Sequence, residues 1–274
     1  MSTLLYGANV HANGIRQHYL RYGPEDNVPG TTEAVIILPG ITSPAVTWGF
    51  VGERFGKHLD TYILDIRGRG LSSAEDDLDY SVTAQAQDAI EFAKALGLKK
   101  YALVGHSMGG LIGARAAAAE PEGLTRLVMV DPPVSGPGRR PYPSKLPWYV
   151  DSIALAKKGC SAEQMREFCP TWTLEQLRLR AQWLHTCNEK AVVRSFNDFH
   201  EDDSHQDFAK VKVPTLLMIA ERGDVIRPED RDEIASLIKD LTVTTVNDAG
   251  HMIPWDNEEG FYKAFGDFLG ARLD

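Results

Sequence analysis

"YALVGHSMGGLIGARAAAA", Tyr101 to Ala119, sets a lone hydroxyl, Ser107, between an apolar run and a chain of very small residues. The run before it is too short for a buried helix and suits a buried strand, whereas the Gly- and Ala-rich stretch after it reads as a helix. A serine in Gly-x-Ser-x-Gly between strand and helix is the pattern of a nucleophile elbow. In such a turn the serine sits on strained backbone above a sheet, and its neighbours must be small for the crossing backbones to pass. Gly105, Gly109 and Gly110 meet that demand. The stretch predicts a parallel sheet with an attacking alcohol at the end of one strand, where an isolated match would be only a turn serine.

Outward from this point the same pattern repeats. "AVIILPG", "TYILDIRG", "LTRLVMVDPP" and "PTLLMIAE" are short apolar runs, most of them ending in Gly, Asp or Pro, and read as further buried parallel strands. Helical stretches lie between them, at about Thr47 to His58, Ser81 to Leu96 with Ser81 as N-cap, Met108 to Ala119, and Pro228 to Ile238. Upstream, "NVHANGIRQHYLRYG" alternates around Asn13-Gly14, the pair most tolerant of positive φ, so the sheet begins with an antiparallel hairpin. With "LTVTTVNDAGH" as the last strand, the class is α/β: a mostly parallel eight-stranded sheet with helices on both faces. From Val134 to Asp207 no strand pattern occurs. A Pro-rich lead-in, "PPVSGPGRRPYPSKLPW", gives way to helical patterns carrying Trp148, Trp172 and Trp183. We read 134–207 as a helical cap inserted after strand six into a core of 1–133 and 208–274, the alternative being helices that only pack on that core.

The chain has 274 residues and a formal net charge of -9. A nucleic-acid partner is therefore not expected, because that affinity rests on clustered Lys and Arg. A small anionic substrate stays compatible where local arginines overcome the global field. Cys160, Cys169 and Cys187 are an odd number, which argues for unpaired thiols in a reducing compartment. The start "MSTLLYGANVHANG" has no basic stretch followed by an apolar one, and no run is long enough to span a bilayer. A soluble, cytoplasmic protein without a membrane partner is expected.

An alcohol is a weak nucleophile at neutral pH and needs a base within hydrogen-bond reach, itself oriented by an acid. Of the eight histidines, His251 is placed best, in a Gly-His loop after the last strand. His106 adjoins the serine, but the turn directs it elsewhere and it reads as structural. His200 and His205 in "HEDDSHQD" lack the spacing of a helical zinc motif and read as a solvated acidic loop, so no metal is expected. Two aspartates end strands on the correct side, Asp131 after "LVMV" and Asp224 after "LLMIAERG", and either could reach His251. The acid commonly follows the seventh strand, which favours Asp224; its position, one residue late, redirects the side chain and favours Asp131. For the oxyanion, "LPGITSP" leaves the Ile41 N–H free beyond Gly40, to pair with the Met108 N–H at the start of the elbow helix.

Taken together, "LPGITSPAVTWGF", "DIRGRGLSS", "GHSMGG", "VDPPVSGPGRR", "FCPTW" and "AGHMIPWD" resemble the α/β-hydrolase superfamily, nearly end to end. Within it, "DPPVSGPGRRPYPSKLPWYVDS" and "RAQWLHTC" resemble the N-formylmaleamate deformylase family of bacterial nicotinate breakdown. The resemblance implies an α/β-hydrolase fold, nucleophile Ser107, base His251, acid Asp131, no cofactor, and cleavage of a C–N amide bond in a small anionic substrate with release of formate. The distal carboxylate of such a substrate needs a cation, for which Arg139 and Arg140 at the cap lead-in, with His185 behind them, are candidates; on a polar loop they can equally be solvated surface. "GHSMGG" is shared with lactonases and cofactor-free peroxidases. A carboxylesterase or enol-lactonase, a non-hydrolytic enzyme and a ligand-binding relative are therefore the alternatives, and intact Ser107 and His251 argue against the last.

Overall fold

Asn13 and Gly14 take positive φ angles of 50° and 74° and turn strand β1 (Leu4–Ala12) back on β2 (Ile15–Tyr22), as the sequence of the turn requires. The structure, a computed structural model, describes residues 2–274. β3 (Ala34–Leu38), β4 (Asp60–Leu64), β5 (Tyr101–His106), β6 (Leu124–Val130), β7 (Thr215–Ala220) and β8 (Leu241–Val246) complete one eight-stranded sheet of order β1-β2-β4-β3-β5-β6-β7-β8. The β1–β2 and β2–β4 pairs are antiparallel, and all later pairs are parallel.

Burial on both faces explains the continuous apolar runs. On β3, Ala34, Ile36 and Leu38 enter one core with Phe92, Ile112 and Leu127, while Val35 and Ile37 enter a second with Trp48, Phe55 and Phe261. Helices α1 (Gly49–Phe55), α2 (Val82–Ala95) and α3 (Met108–Ala118) connect the central strands, and the Ser81 hydroxyl accepts from the Ala84 N–H to cap α2. The helix expected from Thr47 is in part a 3-10 turn, Ala45–Trp48, before α1 begins. Its glycines serve packing instead of helix length: a Cβ on Gly52 would lie 2.5 Å from the Tyr22 ring.

Between β6 and β7 the chain forms only helices: α4 (Leu146–Lys157), α5 (Ala162–Met165), α6 (Leu174–Trp183), α7 (Glu189–Glu201) and α8 (His205–Phe208). α8 packs back on α3. His205, expected in a solvated loop, is buried there, because the acids beside it are engaged: Arg115 on α3 binds both Asp202 and Asp207. α9 (Pro228–Leu237), α10 (Ile253–Asp256) and α11 (Glu258–Phe265) finish the fold. Among the described residues the three cysteines are free, and no helix is long and apolar enough to cross a membrane.

The elbow is the tightest point of the sheet. A Cβ on Gly105 would stand 2.0 Å from the Gly109 carbonyl oxygen, and one on Gly109 would stand 1.8 Å from the carbonyl oxygen of Leu38 on β3. Both obstacles are backbone, so neither can swing aside. Gly109→Ala should therefore destabilise the fold by roughly 3 kcal/mol or more. The urea midpoint checks this, and an unchanged midpoint would mean that α3 can lift from β3 at little cost.

Candidate active site

Gly40, Ser107, Asp131, Gly223 and His251 follow β3, β5, β6, β7 and β8 at the carboxyl ends of the strands, where open α/β sheets place their ligands. Ser107 has φ 53° and ψ -122°, a strained left-handed conformation. Its N–H donates to the Val130 carbonyl at 2.9 Å, and its own carbonyl accepts from the Gly110 N–H at 2.8 Å. The turn is pinned from both sides, which keeps the hydroxyl aimed out of the sheet.

The Ser107 Oγ lies 3.0 Å from His251 Nε2, and His251 Nδ1 lies 2.7 Å from Asp131 Oδ2. Asp131 is fully buried, at φ 47°; its N–H donates to the Met218 carbonyl at 2.9 Å and its Oδ1 accepts from the Ala220 N–H at 3.3 Å. With a carboxylate accepting at Nδ1, the neutral imidazole carries its proton there and presents Nε2 to the serine as a base. Asp224 is not part of this line. Its carboxylate is exposed at the rim and held by Arg227 at 2.7 Å, which draws its carboxyl below the usual range.

His106 is buried under His251, with ring centroids 5.0 Å apart and His106 Nε2 2.9 Å from the His251 carbonyl oxygen. Burial, then the neighbouring His251, push its imidazole down to about 3, so it stays uncharged and supports His251 as a donor. Among the described residues neither the Ile41 nor the Met108 N–H is taken by another group of the chain. A Cβ on Gly40 would be 3.6 Å from the Ser107 Cβ, so the β3 loop meets the elbow closely. Two donors beside the serine can receive an oxyanion.

Three candidates for holding a substrate carboxylate are not brought to this place. Arg139 forms a two-pronged pair with Glu233, both contacts 2.6 Å, and Arg140 binds Asp230 at 2.6 Å together with the Asp224 and Val225 carbonyls. Acids on α9, far away in sequence, occupy both guanidinium groups. His185 lines a separate surface hollow near Asp76 and Lys157.

Sequence reasoning missed three residues that the fold does bring in. Tyr142 places its hydroxyl 3.1 Å from His251 Nε2, beside the Ser107 Oγ, and burial lifts its phenol well above the usual range, so it keeps its proton. Set between two prolines, it carries no periodic signal. Arg69 is wholly buried, donating from Nε to the Ile41 carbonyl at 3.0 Å and from Nη2 to the Ser195 Oγ at 2.9 Å and the Met108 sulfur at 3.5 Å. It ties Ile41 and Met108, the candidate oxyanion donors, to α7. Arg180 lines the cavity of about 450 Å³ in front of Ser107. Its spacing was a usable signal, because Leu177, Arg180, Ala181 and Leu184 form the buried stripe of α6 and its end, and a cation does not belong on such a stripe without a purpose.

The family description of the alpha/beta hydrolase fold matches residues 33–258. N-formylmaleamate deformylase of Pseudomonas putida KT2440 is 61% identical over 100% of both chains. The crystal structure of a serine-to-alanine variant of N-formylmaleamic acid deformylase from Pseudomonas putida S16 superposes with a TM-score of 0.89 at 51% identity, covering 95% of this chain and 100% of that one. An enol-lactonase from Burkholderia xenovorans LB400 shares the fold with a TM-score of 0.75 at 18% identity, over 96% of this chain and 100% of that one. The chain belongs to the α/β-hydrolase fold family, as a hydrolase related along its whole length to N-formylmaleamate deformylase.

Proposed function

We propose that this chain is an N-formylmaleamate deformylase, converting N-formylmaleamate and water to maleamate and formate. The observation that carries the reading is the unbroken hydrogen-bonded line Ser107–His251–Asp131, opening on a cavity of about 450 Å³ that has room for a small acid. Ser107 Oγ attacks the formyl carbon as its proton passes to His251 Nε2, and the Ile41 and Met108 N–H groups receive the oxyanion. Asp131 stabilises the imidazolium. The tetrahedral adduct collapses as His251 returns the proton to the departing nitrogen, which is an easy leaving group because the neighbouring acyl group also delocalises its electron pair. Water, deprotonated by His251, then cleaves the formyl-serine ester and frees formate. Residues 134–207 act as the cap, the irregular lead-in before α4 supplying Tyr142 and the helices supplying the far wall of the cavity.

A coupled formate assay on N-formylmaleamate, beside simple esters and enol-lactones of the same size, tests this. We expect kcat/KM for the formylated amide to exceed that for the esters and lactones by at least about 100-fold. A preference for the ester or lactone would replace this reading with a carboxylesterase or enol-lactonase, the same triad serving each.

A further inference from the structure

Arg180 is only 4% exposed, yet among the described residues it has no carboxylate partner. Its guanidinium lies between two indoles, 5.2 Å from the Trp148 ring and 5.7 Å from the Trp172 ring. Both rings are themselves fixed: the Trp148 Nε1 donates to the Phe168 carbonyl at 3.1 Å, and Trp172 stacks on Trp255 at 5.5 Å. The two Nη atoms reach only the Thr42 carbonyl and hydroxyl, each at the long distance of 3.5 Å, and Nε has no partner. Burying a cation without a counter-charge is costly: Arg21 pairs with Asp60 and Arg67 with Asp88. Arg69, which also lacks a carboxylate, instead donates to the Ile41, Arg67 and Ala191 carbonyls and the Ser195 hydroxyl at 2.8 to 3.2 Å, whereas Arg180 has only the two long contacts to Thr42. Arg222, the other cation on the cavity wall, is exposed and donates to the Asp248 carbonyl.

We propose that Arg180, clamped by Trp148 and Trp172 beside Thr42, is a carboxylate-binding subsite that selects substrates with an acid group a few bonds from the scissile carbonyl. It rests on the reading of Ser107 and His251 as hydrolytic. Thr42 follows Ile41, and one Cα step is about 3.8 Å, so a substrate held by the Ile41 N–H reaches Arg180 with a short acyl chain. The two Nη atoms, held only by the long contacts to Thr42, can turn a pair of N–H donors to a carboxylate, and the apolar walls keep that pair dry and strong. A neutral substrate leaves the cation desolvated and unpaired, so the discrimination is built into the unliganded site.

The test compares Arg180→Met and Arg180→Lys with wild type on N-formylmaleamate and on its uncharged methyl ester, and measures competition by maleate against 4-nitrophenyl acetate hydrolysis. In Arg180→Met the ratio of kcat/KM, charged over uncharged, should fall by about 100-fold and maleate should lose its competitive inhibition; Arg180→Lys, with charge but no fork, should fall between. Equal losses on both substrates, or maleate inhibition unchanged in either variant, would overturn the subsite and leave Arg180 a packing residue. Should Arg180→Met lose its near-UV circular dichroism, Arg180→Lys decides by the same ratio. Wild type that releases no formate, yet is inhibited by maleate and not by dimethyl maleate, would remove the deformylase reading and keep the subsite.

Discussion

Ser107→Ala should lower formate release by at least about 10⁴-fold with the fold intact. The hydroxyl stands alone at the end of the chain of proton acceptors, and no other nucleophile faces His251 Nε2 except the Tyr142 phenol, which burial holds protonated. The substitution opens no sizeable cavity, so thermal unfolding should shift little. The variant should still bind N-formylmaleamate, since the cavity and Arg180 are untouched. A formyl-enzyme trapped on Ser107 in wild type, seen by mass spectrometry at short times and absent from Ser107→Ala, is the matching signature. Residual turnover above a hundredth of wild type, with contaminating enzyme excluded, would remove Ser107 from the nucleophile role.

Asp131→Asn should cost about 10⁴-fold in kcat, whereas Asp224→Asn should stay within a factor of about 3 of wild type. The reason lies in which atoms face the carboxylate. Asp131 Oδ1 accepts from the Ala220 N–H, so an asparagine keeps its oxygen there and turns its NH₂ toward His251 Nδ1. A donor at Nδ1 forces the imidazole proton onto Nε2, where it can no longer take the proton of Ser107. Asp224 has only Arg227 to lose, an exposed pair of small energetic weight. Near-UV circular dichroism on both variants separates a catalytic loss from a disordered strand end. A crippled but folded Asp224→Asn beside an active Asp131→Asn would move the acid to β7.

The succession of strands along the chain and the elbow were open to sequence reasoning because their causes are local, whereas the order of the strands in the sheet was not. Strands buried on both faces must be continuously apolar, Asn13-Gly14 alone accepts the turn between β1 and β2, and the elbow admits only glycine where Gly105 and Gly109 meet backbone. Ser107 and His251 could be read as candidates from their places beyond strand ends for the same reason, and the fold brings them within 3.0 Å. The choice between Asp131 and Asp224 turned on the direction of one side chain at a strand end, and spacing alone argued both ways. Tertiary contacts separate them: β7 offers Asp131 the Ala220 N–H, while Arg227 draws Asp224 to the rim. Cations were the least legible. Arg139, Arg140 and Arg180 are alike as residues, and their fates depend on partners remote in sequence: Glu233 and Asp230 on α9 neutralise the first two, whereas two tryptophans enclose the third without neutralising it. Charge is long-range and is settled by whichever opposite group the fold delivers, so one strand's residues announce the strand, but an arginine does not announce whether its charge is already spoken for.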